Sequence, residues 1–258
     1  MTGFTDGEGC FLVSITENKN SKLGWQVRLY FSIGLHIKDK PLLEQIKILL
    51  RHVGSISKQG SESVQFKVQS IKEFKIIIDH LDKYPLITKK WADYQLFRHA
   101  YELMLRKEHL TYEGLRQIIS IKASMNRGLS EELKIASPDV VTSLRTVRPL
   151  VKNQKIKDPN WLAGFTSAEG CFIVNLRKDS KYKTGFKVLL KFIITQHARD
   201  ECLLKSLMEF LYCGNVTRRS REEAVDFIVT KLSDINNKII PLFKKCPIHG
   251  EKSEDFQD

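Results

Sequence analysis

The stretch "WLAGFTSAEGCFIV", residues 161–174, repeats with few changes the phrase that opens the chain, "MTGFTDGEGCFLV", residues 1–13. Each copy has an apolar, glycine-containing helix pattern that ends in a glutamate followed by a glycine, and then runs into an apolar strand pattern. The offset between the copies is 161 residues. A phrase this unusual, present twice in one chain, indicates an internal duplication.

The duplication extends along nearly the whole chain. At the same offset "HIKDKPLL", residues 36–43, matches "HARDECLL", residues 197–204. After one-residue adjustments "KYPLITKKWADY", from Lys83, matches "KCPIHGEKSEDF", from Lys245. Each copy shows a glycine-rich helix, two strands, an amphipathic helix, two short strands and a last helix. The pattern therefore predicts an α+β fold made of two αββαββα units.

The element bounds follow from apolar periodicity. We expect an N-terminal unit with its following helices over residues 1–128, a polar linker over 129–159 and a C-terminal unit over 160–258. We expect first-copy strands at 10–17, 26–35, 55–57 and 64–69 and helices at 39–52 and 71–82, followed by a helical stretch at 94–126. We expect second-copy strands at 171–177, 187–196, 215–218 and 225–230 and helices at 200–212 and 233–244. The second copy ends where its counterpart of residues 94–126 would begin, so we expect both termini to be trimmed.

The composition is that of a folded, strongly basic protein. The 42 Lys and Arg exceed the 30 Asp and Glu, which gives a formal charge of +12 and favours a polyanionic partner; the alternative is a merely soluble basic protein. No apolar run reaches the roughly 18 residues that span a bilayer, and no targeting peptide is visible. The five cysteines lack zinc spacing, so we expect small buried side chains in a reducing compartment.

The small residues of the repeated phrase predict a close helix–helix contact. Gly3 and Gly7 in the first copy, and Gly164 and Ala168 in the second, are four residues apart and leave one stripe of each helix almost bare. Glycine inside a helix costs about 1 kcal/mol relative to alanine, so its repeated use calls for a compensating contact. We therefore expect the two copies of the helix to pack against each other.

An acid stands at the end of each helix. Glu8 and Glu169 meet the negative end of the helix dipole, and Gly9 and Gly170 follow them, where we expect left-handed helix caps. If the helices pack as a pair, the two carboxylates also meet each other. Two like charges held this close raise a pKa or require a cation between them, and a hard divalent ion fits carboxylate and carbonyl oxygens. The alternative is that each glutamate points into solvent.

The segments "MTGFTDGEG" and "LAGFTSAEG" resemble the two signature helices of a single-chain LAGLIDADG homing endonuclease of the intron-encoded fungal mitochondrial type. The resemblance covers essentially the whole chain. It implies two pseudo-twofold-related units packed through these helices, each with a concave antiparallel sheet that binds DNA. It also implies that Glu8 and Glu169 are catalytic acids that bind metal, together with the carbonyls of Gly7 and Ala168. The sixth motif position, Asp6 in one copy and Ser167 in the other, is not catalytic in the family.

The function implied by this resemblance is site-specific cleavage of double-stranded DNA. Such an enzyme hydrolyses one phosphodiester on each strand and leaves short 3′ overhangs. It uses two or three Mg²⁺ ions, and Ca²⁺ would bind without supporting turnover. We expect a monomer that acts in mitochondria and does not bind membranes. Two alternatives stay open: a maturase that binds intron RNA, and a DNA-binding descendant that has lost catalysis.

The two copies differ at positions of chemical interest. Gln196 aligns with Leu35, and Lys231 aligns with Ser70. In the family a glutamine and a lysine near the metals often arrange water and stabilise charge, so both are candidate catalytic residues. The alternative for Lys231 is a surface lysine. His36 and His197 also repeat, each three residues before an aspartate, and we expect them to act in helix entry rather than in the site.

Alternating strands provide the candidate DNA contacts. Polar and basic side chains on one face of a strand suit base edges and phosphates in the major groove; the alternative is an ordinary solvated sheet face. Because the copies differ in residue type there, we expect an asymmetric target. The candidate DNA-binding residues are Ser14, Thr16, Gln26, Arg28, Tyr30, Ser32, Ser57, Gln65, Lys67, Gln69, Asn175, Arg177, Lys187, Lys191, Thr217 and Arg219.

Overall fold

The structure is a computed structural model that describes residues 1–142, 146–151 and 153–257. Parts of the expected linker (143–145 and 152) and the last residue, 258, lie outside the described residues. The helices are α1 (Thr2–Glu8), α2 (Lys40–Leu49), α3 (Ile71–Lys83), α4 (Lys90–Leu105), α5 (Tyr112–Ala123), α6 (Glu131–Ala136), α7 (Pro138–Thr142), α8 (Pro159–Glu169), α9 (Glu201–Leu211), α10 (Leu232–Asp234), α11 (Ile240–Lys245) and α12 (Lys252–Gln257). The strands are β1 (Gly9–Glu17), β2 (Trp25–His36), β3 (Ser55–Lys58), β4 (Ser63–Val68), β5 (Gly170–Lys178), β6 (Phe186–His197), β7 (Asn215–Arg218) and β8 (Ala224–Val229).

The duplication predicted from the sequence is confirmed by the sheet topology. Two four-stranded sheets have the orders β1-β2-β4-β3 and β5-β6-β8-β7, and every strand pair is antiparallel. The first hairpin of each sheet turns at a glycine in the left-handed region, Gly24 with φ +76° and Gly185 with φ +72°. A residue with a side chain is strained in that region of φ, which explains why both copies have glycine at this turn. The α+β fold class is confirmed.

The chain divides into two compact units, and α1 does not group with the repeat that it opens. One unit, which we call the first-sheet unit, comprises residues 9–85 and the described residues of 89–151. The other, the second-sheet unit, comprises α1, residues 86–88 and the described chain from residue 153 onward. The two copies of the signature helix, α1 and α8, therefore lie in the same unit.

In the first-sheet unit the helices bury most of one face of the sheet. Phe11 packs against Tyr94 and Phe97 of α4, with ring centroids 5.5 and 5.4 Å apart. Lys122 and Asn126 donate hydrogen bonds to the carbonyls of Val13 and Phe11, which protects the outer edge of β1. The expected polar linker also contains structure, because α6 and α7 form within it.

In the second-sheet unit the same face is only partly covered. Phe172, the counterpart of Phe11, contacts Phe243 and Phe256. Farther along the sheet the apolar side chains of Val174, Leu176 and Val188 are 66%, 64% and 58% exposed. The last helix of this repeat also departs from an ideal α-helix, because a π-helical turn, Ile235–Ile239, joins α10 to α11.

Two expectations from the sequence are wrong. Gly9 and Gly170 are not left-handed caps: Gly170 has φ −72° and ψ 152°, and both residues begin strands directly. Gly170 is needed for space instead, since a methyl group there would lie 2.6 Å from the carbonyl oxygen of Thr166. The cysteines are free as expected but are not all buried: Cys10, Cys171 and Cys202 are exposed. Cys10 and Cys171 alternate with inward-facing phenylalanines, which turns them outward.

None of the helices in the described part of the chain is both long and apolar enough to cross a bilayer.

Candidate active site and nucleic-acid interface

The bare stripes of α1 and α8 face each other, as the sequence predicts. A methyl group added at Gly3 would lie 1.9 Å from the carbonyl oxygen of Trp161. One added at Gly7 would lie 2.3 Å from the Cβ of Ala168, and one at Gly164 would lie 3.1 Å from the amide nitrogen of Phe4. The first two distances are far shorter than any real contact. The backbones therefore approach as closely as they do only because these side chains are absent or small.

This close approach brings the two acids to neighbouring helix ends. Glu8 is the last residue of α1 and Glu169 the last of α8, and both side chains are half-buried. The Oε1 atom of Glu169 lies 3.3 Å from the position that a methyl group on Gly7 would occupy. The carboxylate of Glu169 therefore lies against the last turn of α1, at Gly7, the residue that precedes Glu8. Two acids and two helix carboxyl termini concentrate negative charge at one place.

The donors at this place fit a hard divalent cation. The helix ends present two carboxylates, and Mg²⁺ in proteins commonly binds one or two carboxylates and takes its other oxygens from water and substrate phosphates. Among the described residues no group of three or more His, Cys, Asp or Glu side chains is placed to hold a metal. Glu8 and Glu169 would hold the ion, with oxygens from the backbone or a bound phosphate.

A lysine that the sequence analysis missed lies at the same helix end. Lys252, the first residue of α12, donates a hydrogen bond to the carbonyl oxygen of Ala168. This carbonyl was expected to bind metal, and here an ammonium group contacts it. A signal was present in the sequence, because aligning "LITKKWADY" with "IHGEKSEDF" matches Lys252 to Lys90, the first residue of α4.

Asp6 holds α1 in place and is fully buried. Its Oδ1 accepts hydrogen bonds from the amide and hydroxyl of Thr88 at 3.1 and 2.6 Å, and its Oδ2 accepts from the amide of Ile87 at 3.0 Å and the indole of Trp161 at 2.8 Å. Burial raises the pKa of Asp6 to about 6, although all of these hydrogen bonds favour the charged form. One side chain thus joins α1, residues 86–88 and α8.

Ser167 stands at the same motif position in the second copy and makes fewer hydrogen bonds. Its hydroxyl donates to the carbonyl of Ala163 at 2.9 Å and accepts from the amide of His249 at 3.0 Å. In the alignment His249 corresponds to Ile87, so the same segment of each repeat is held by the sixth motif position.

The other two candidate catalytic residues lie elsewhere on the second repeat. Gln196 is half-buried on β6, opposite Val225 and on the same face as the buried Ile194. Lys231 precedes α10, is exposed, and makes no ion pair with any described residue.

The candidate DNA-binding residues of the first sheet share one face, opposite the core. Two contacts fix side chains there: Arg28 donates to Gln26 at 2.8 Å, and the ammonium of Lys67 lies 4.9 Å from the ring centre of Tyr30. Gln69 lies just past the end of β4 and is exposed. The candidates brought together by the register are Ser14, Thr16, Gln26, Arg28, Tyr30, Ser32, Ser57, Gln65 and Lys67.

The second sheet likewise gathers its candidates on the face opposite the core. Apolar residues such as Leu189 and Ile193 are interspersed among them. The open face of the second sheet therefore differs in chemistry from the open face of the first, as expected. Arg219 extends the line of β7 and contacts Asp226. The candidates on this face are Asn175, Arg177, Lys187, Lys191, Thr217 and Arg219.

The repeated histidines act in helix entry, as the sequence predicts. Nδ1 of His36 accepts a hydrogen bond from the amide of Lys38 at 3.3 Å, and Nδ1 of His197 accepts one from the amide of Arg199 at 3.2 Å. Each histidine caps a short 3₁₀ turn before the amphipathic helix.

Comparison with known proteins agrees with this geometry. The sequence profile of the LAGLIDADG endonuclease family matches residues 1–101 and 162–258. A Neurospora crassa protein described as "Probable intron-encoded endonuclease 2" is 38% identical over 99% of this chain and 57% of its own length, and "Probable intron-encoded endonuclease 3" of the same organism is 38% identical over 100% of this chain and 48% of its own. This chain thus spans about half the length of the curated relatives it matches.

Among solved structures, the I-SmaMI LAGLIDADG homing endonuclease bound to cleaved DNA is 45% identical with a TM-score of 0.96 and covers 99% of this chain and 85% of that one. I-GzeII in complex with its DNA target is 44% identical with a TM-score of 0.91 and covers 99% of this chain and 86% of that one.

Proposed function

The chain belongs to the LAGLIDADG endonuclease family, and we propose that it is a site-specific endonuclease that binds a long, asymmetric double-stranded DNA target. It hydrolyses one phosphodiester on each strand and leaves short 3′ overhangs. The observation that carries this proposal is the pair of half-buried acids, Glu8 and Glu169, at the neighbouring ends of α1 and α8. Relatives solved with cleaved DNA and with a DNA target support it.

The cofactor in this proposal is Mg²⁺, in two or three ions, with Ca²⁺ binding but not supporting turnover. I-SmaMI has been solved bound to uncleaved DNA in the presence of calcium ions, which supports the use of a divalent ion. A bound divalent ion would supply Lewis-acid stabilisation of the charge that develops on the phosphate. Glu8 and Glu169 hold it, with the backbone oxygens of Gly7 and Ala168 as further candidates, and the half-buried position of both acids limits the water that competes for them.

One cationic side chain that contacts the end of α8 in this structure is Lys252. Its ammonium contacts the carbonyl of the residue just before Glu169, where it stabilises negative charge on a phosphate. Lys231 and Gln196 remain candidates for positioning water or phosphate. The exposed position of Lys231 leaves its ammonium free to approach DNA.

The DNA is held by the open faces of the two sheets, one face for each half of the target. Their basic side chains neutralise phosphates, so affinity falls steeply as salt rises. The faces differ in residue type, and an asymmetric target follows from that difference. The protein acts as a monomer because one chain supplies both acids.

In this proposal the protein is encoded by an intron and acts in mitochondria. Curated relatives are described as intron-encoded, and a Saccharomyces cerevisiae relative, 23% identical, is described as mitochondrial. The maturase alternative, with intron RNA as partner, stays a prediction.

The experiment that tests the function is selection of cleaved duplexes from a randomised library with magnesium. We expect recovery of one long, non-palindromic consensus, no cleavage with calcium or a chelator, and retained binding of the selected duplex in calcium. Magnesium-dependent cutting without any consensus would contradict site specificity. Tight, specific binding without cutting would instead indicate a descendant without catalysis, and preference for structured RNA over the duplex would indicate the maturase.

A further inference from the structure

The open face of the second sheet carries one acidic side chain at a position where the first sheet carries an amide. Asp226 on β8 is paired with Thr195 on one side and Thr217 on the other. At the same register of the first sheet, Gln65 is paired with Gly34 and Ser57. Among the strand positions on both open faces, all of which lie in the described ranges, Asp226 is the only acid.

Asp226 is bound by an arginine through both of its carboxylate oxygens. Nε of Arg219 donates to Oδ2 at 2.8 Å and Nη2 donates to Oδ1 at 3.0 Å. The hydroxyl of Thr195 donates to Oδ1 at 2.7 Å, and Nη2 of Arg219 also donates to Thr195 at 3.3 Å. This is the side-on, two-bond geometry that fixes a guanidinium plane. The side chain of Asp226 is 14% exposed and that of Arg219 is 43% exposed, so the carboxylate lies beneath the guanidinium.

The charges agree with a permanently ionised pair. Burial raises the pKa of Asp226, but the hydrogen bonds from Arg219 and Thr195 outweigh it and hold the pKa below its usual value. An unpaired carboxylate on this face would repel a DNA phosphate, whereas this one is neutralised by Arg219.

The terminal edge of the guanidinium, formed by one N–H of Nη1 and one N–H of Nη2, points away from the carboxylate, which accepts from Nε and from the other N–H of Nη2. Nη1 donates to Glu222 at 2.9 Å, and the side chain of Glu222 is 60% exposed. The carboxylate of Glu222 can therefore turn away into solvent when a polyanion approaches, and the terminal N–H groups of Arg219 then become available to DNA. Two parallel donors on a fixed plane match O6 and N7 of guanine in the major groove.

We infer that Arg219 reads a guanine in the half of the target bound by the second sheet, and that Asp226 is the positioning residue that fixes the orientation of Arg219. This inference rests on the proposed function. Direct reading of a cytosine by Asp226 fits the geometry less well, because both of its oxygens already accept hydrogen bonds and little of the carboxylate is exposed.

A neighbouring ion pair provides a matched control. Arg218 is adjacent to Arg219 but points to the other side of β7, where its Nε donates to Glu201 at 2.6 Å. Glu201→Gln removes a carboxylate partner of an arginine on the same strand without touching the open face.

The test uses the full chain and the duplex selected by the wild-type protein. Affinity in calcium is measured for every single base-pair change of that duplex, with the wild type, Asp226→Asn, Arg219→Lys and Glu201→Gln. We expect one G·C pair at which the wild type loses about tenfold or more on substitution. Arg219→Lys and Asp226→Asn should flatten the preference at that pair alone, and Glu201→Gln should leave it unchanged. Arg219→Lys keeps the charge of an exposed side chain, so it stays informative even if Asp226→Asn fails to fold.

The outcomes separate this inference from the function on which it rests. A wild-type protein that discriminates no duplex contradicts the proposed function. A wild-type protein with a clear consensus, but variants of Arg219 and Asp226 that weaken all duplexes evenly or change nothing, overturns the guanine contact and leaves an ion pair that serves the fold. A new preference at a C·G pair in Arg219→Lys would assign the reading to Asp226 and also overturn it.

Discussion

The last turns of α1 and α8 hold the same place in the duplicated motif but are fixed in different ways. Both end in a half-buried glutamate that leads directly into a strand. Asp6 in α1 accepts four hydrogen bonds, whereas Ser167 in α8 makes two. The acid is therefore the same in both copies, whereas the sixth motif position holds each helix through a different number of hydrogen bonds.

The largest effect is expected from filling the bare stripe. Gly3→Ala should lower the free energy of unfolding by more than about 3 kcal/mol, because its methyl group would overlap the carbonyl of Trp161. Gly7→Ala should also be strongly destabilising, and Ala168→Gly should restore most of the loss by removing the Cβ that it would meet. Gly164→Ala, which has more space, is the mild control. Denaturant unfolding of the four variants measures this, and a Gly3→Ala protein of wild-type stability would contradict the contact.

The unequal anchoring of the two helices gives the next effect. Asp6→Ala leaves buried donors on Thr88, Ile87 and Trp161 without their acceptor and should cost about 3 kcal/mol. Ser167→Ala leaves only the amide of His249 without its acceptor and should cost about 1 kcal/mol. Equal losses in denaturant unfolding would remove the distinction between the two copies.

The contribution of Asp6 to stability depends on pH. Burial raises the pKa of Asp6 from 3.8 to about 6, so the folded state holds this proton more tightly than the unfolded state. The resulting contribution to stability is fully present below about pH 4 and is lost as the pH rises through about 6. The free-energy difference between wild type and Asp6→Ala should therefore shrink, on the order of 2 kcal/mol, from pH 4 to pH 7. A difference that stays constant or grows over this range would show that Asp6 is ionised throughout.

The smallest effect compares the two sheets. Val13 is 1% exposed beneath helices, and its counterpart Val174 is 66% exposed. Val13→Ala should cost about 2 kcal/mol and Val174→Ala less than about 0.5 kcal/mol. Equal costs would mean that the two faces are covered alike in solution.

The duplication let much of the fold be predicted from the sequence, because each weak pattern was present twice. The second strands, β2 and β6, begin and end within one residue of the expected bounds. The repetition marks Gly9 and Gly170 as special, but neither is a left-handed cap, because both begin strands directly. At Gly170 the requirement is space, which repetition alone does not distinguish from a left-handed turn.

The candidate site was predictable only where the motif itself carried it. Glu8 and Glu169 end the two helices that carry the bare stripes, so their place at the ends of the helix contact could be predicted from the motif. The role of Asp6 depends on partners more than 80 residues away, Ile87, Thr88 and Trp161, which no local pattern joins. Lys252 was present in the aligned segments, but its contact with Ala168 depends on how α12 packs.

The role of the paired acids is tested most directly by double-strand cleavage of the selected duplex by Glu8→Gln and Glu169→Gln, each assayed with magnesium and, for binding, with calcium. Glu44→Gln, on the exposed side of α2, serves as the control acid. One site that needs an acid from each helix predicts that either substitution lowers double-strand cleavage at least about a hundredfold. It also predicts that specific binding survives and that the control cuts normally. If either variant cuts both strands at close to the wild-type rate, the paired acids are not the catalytic site.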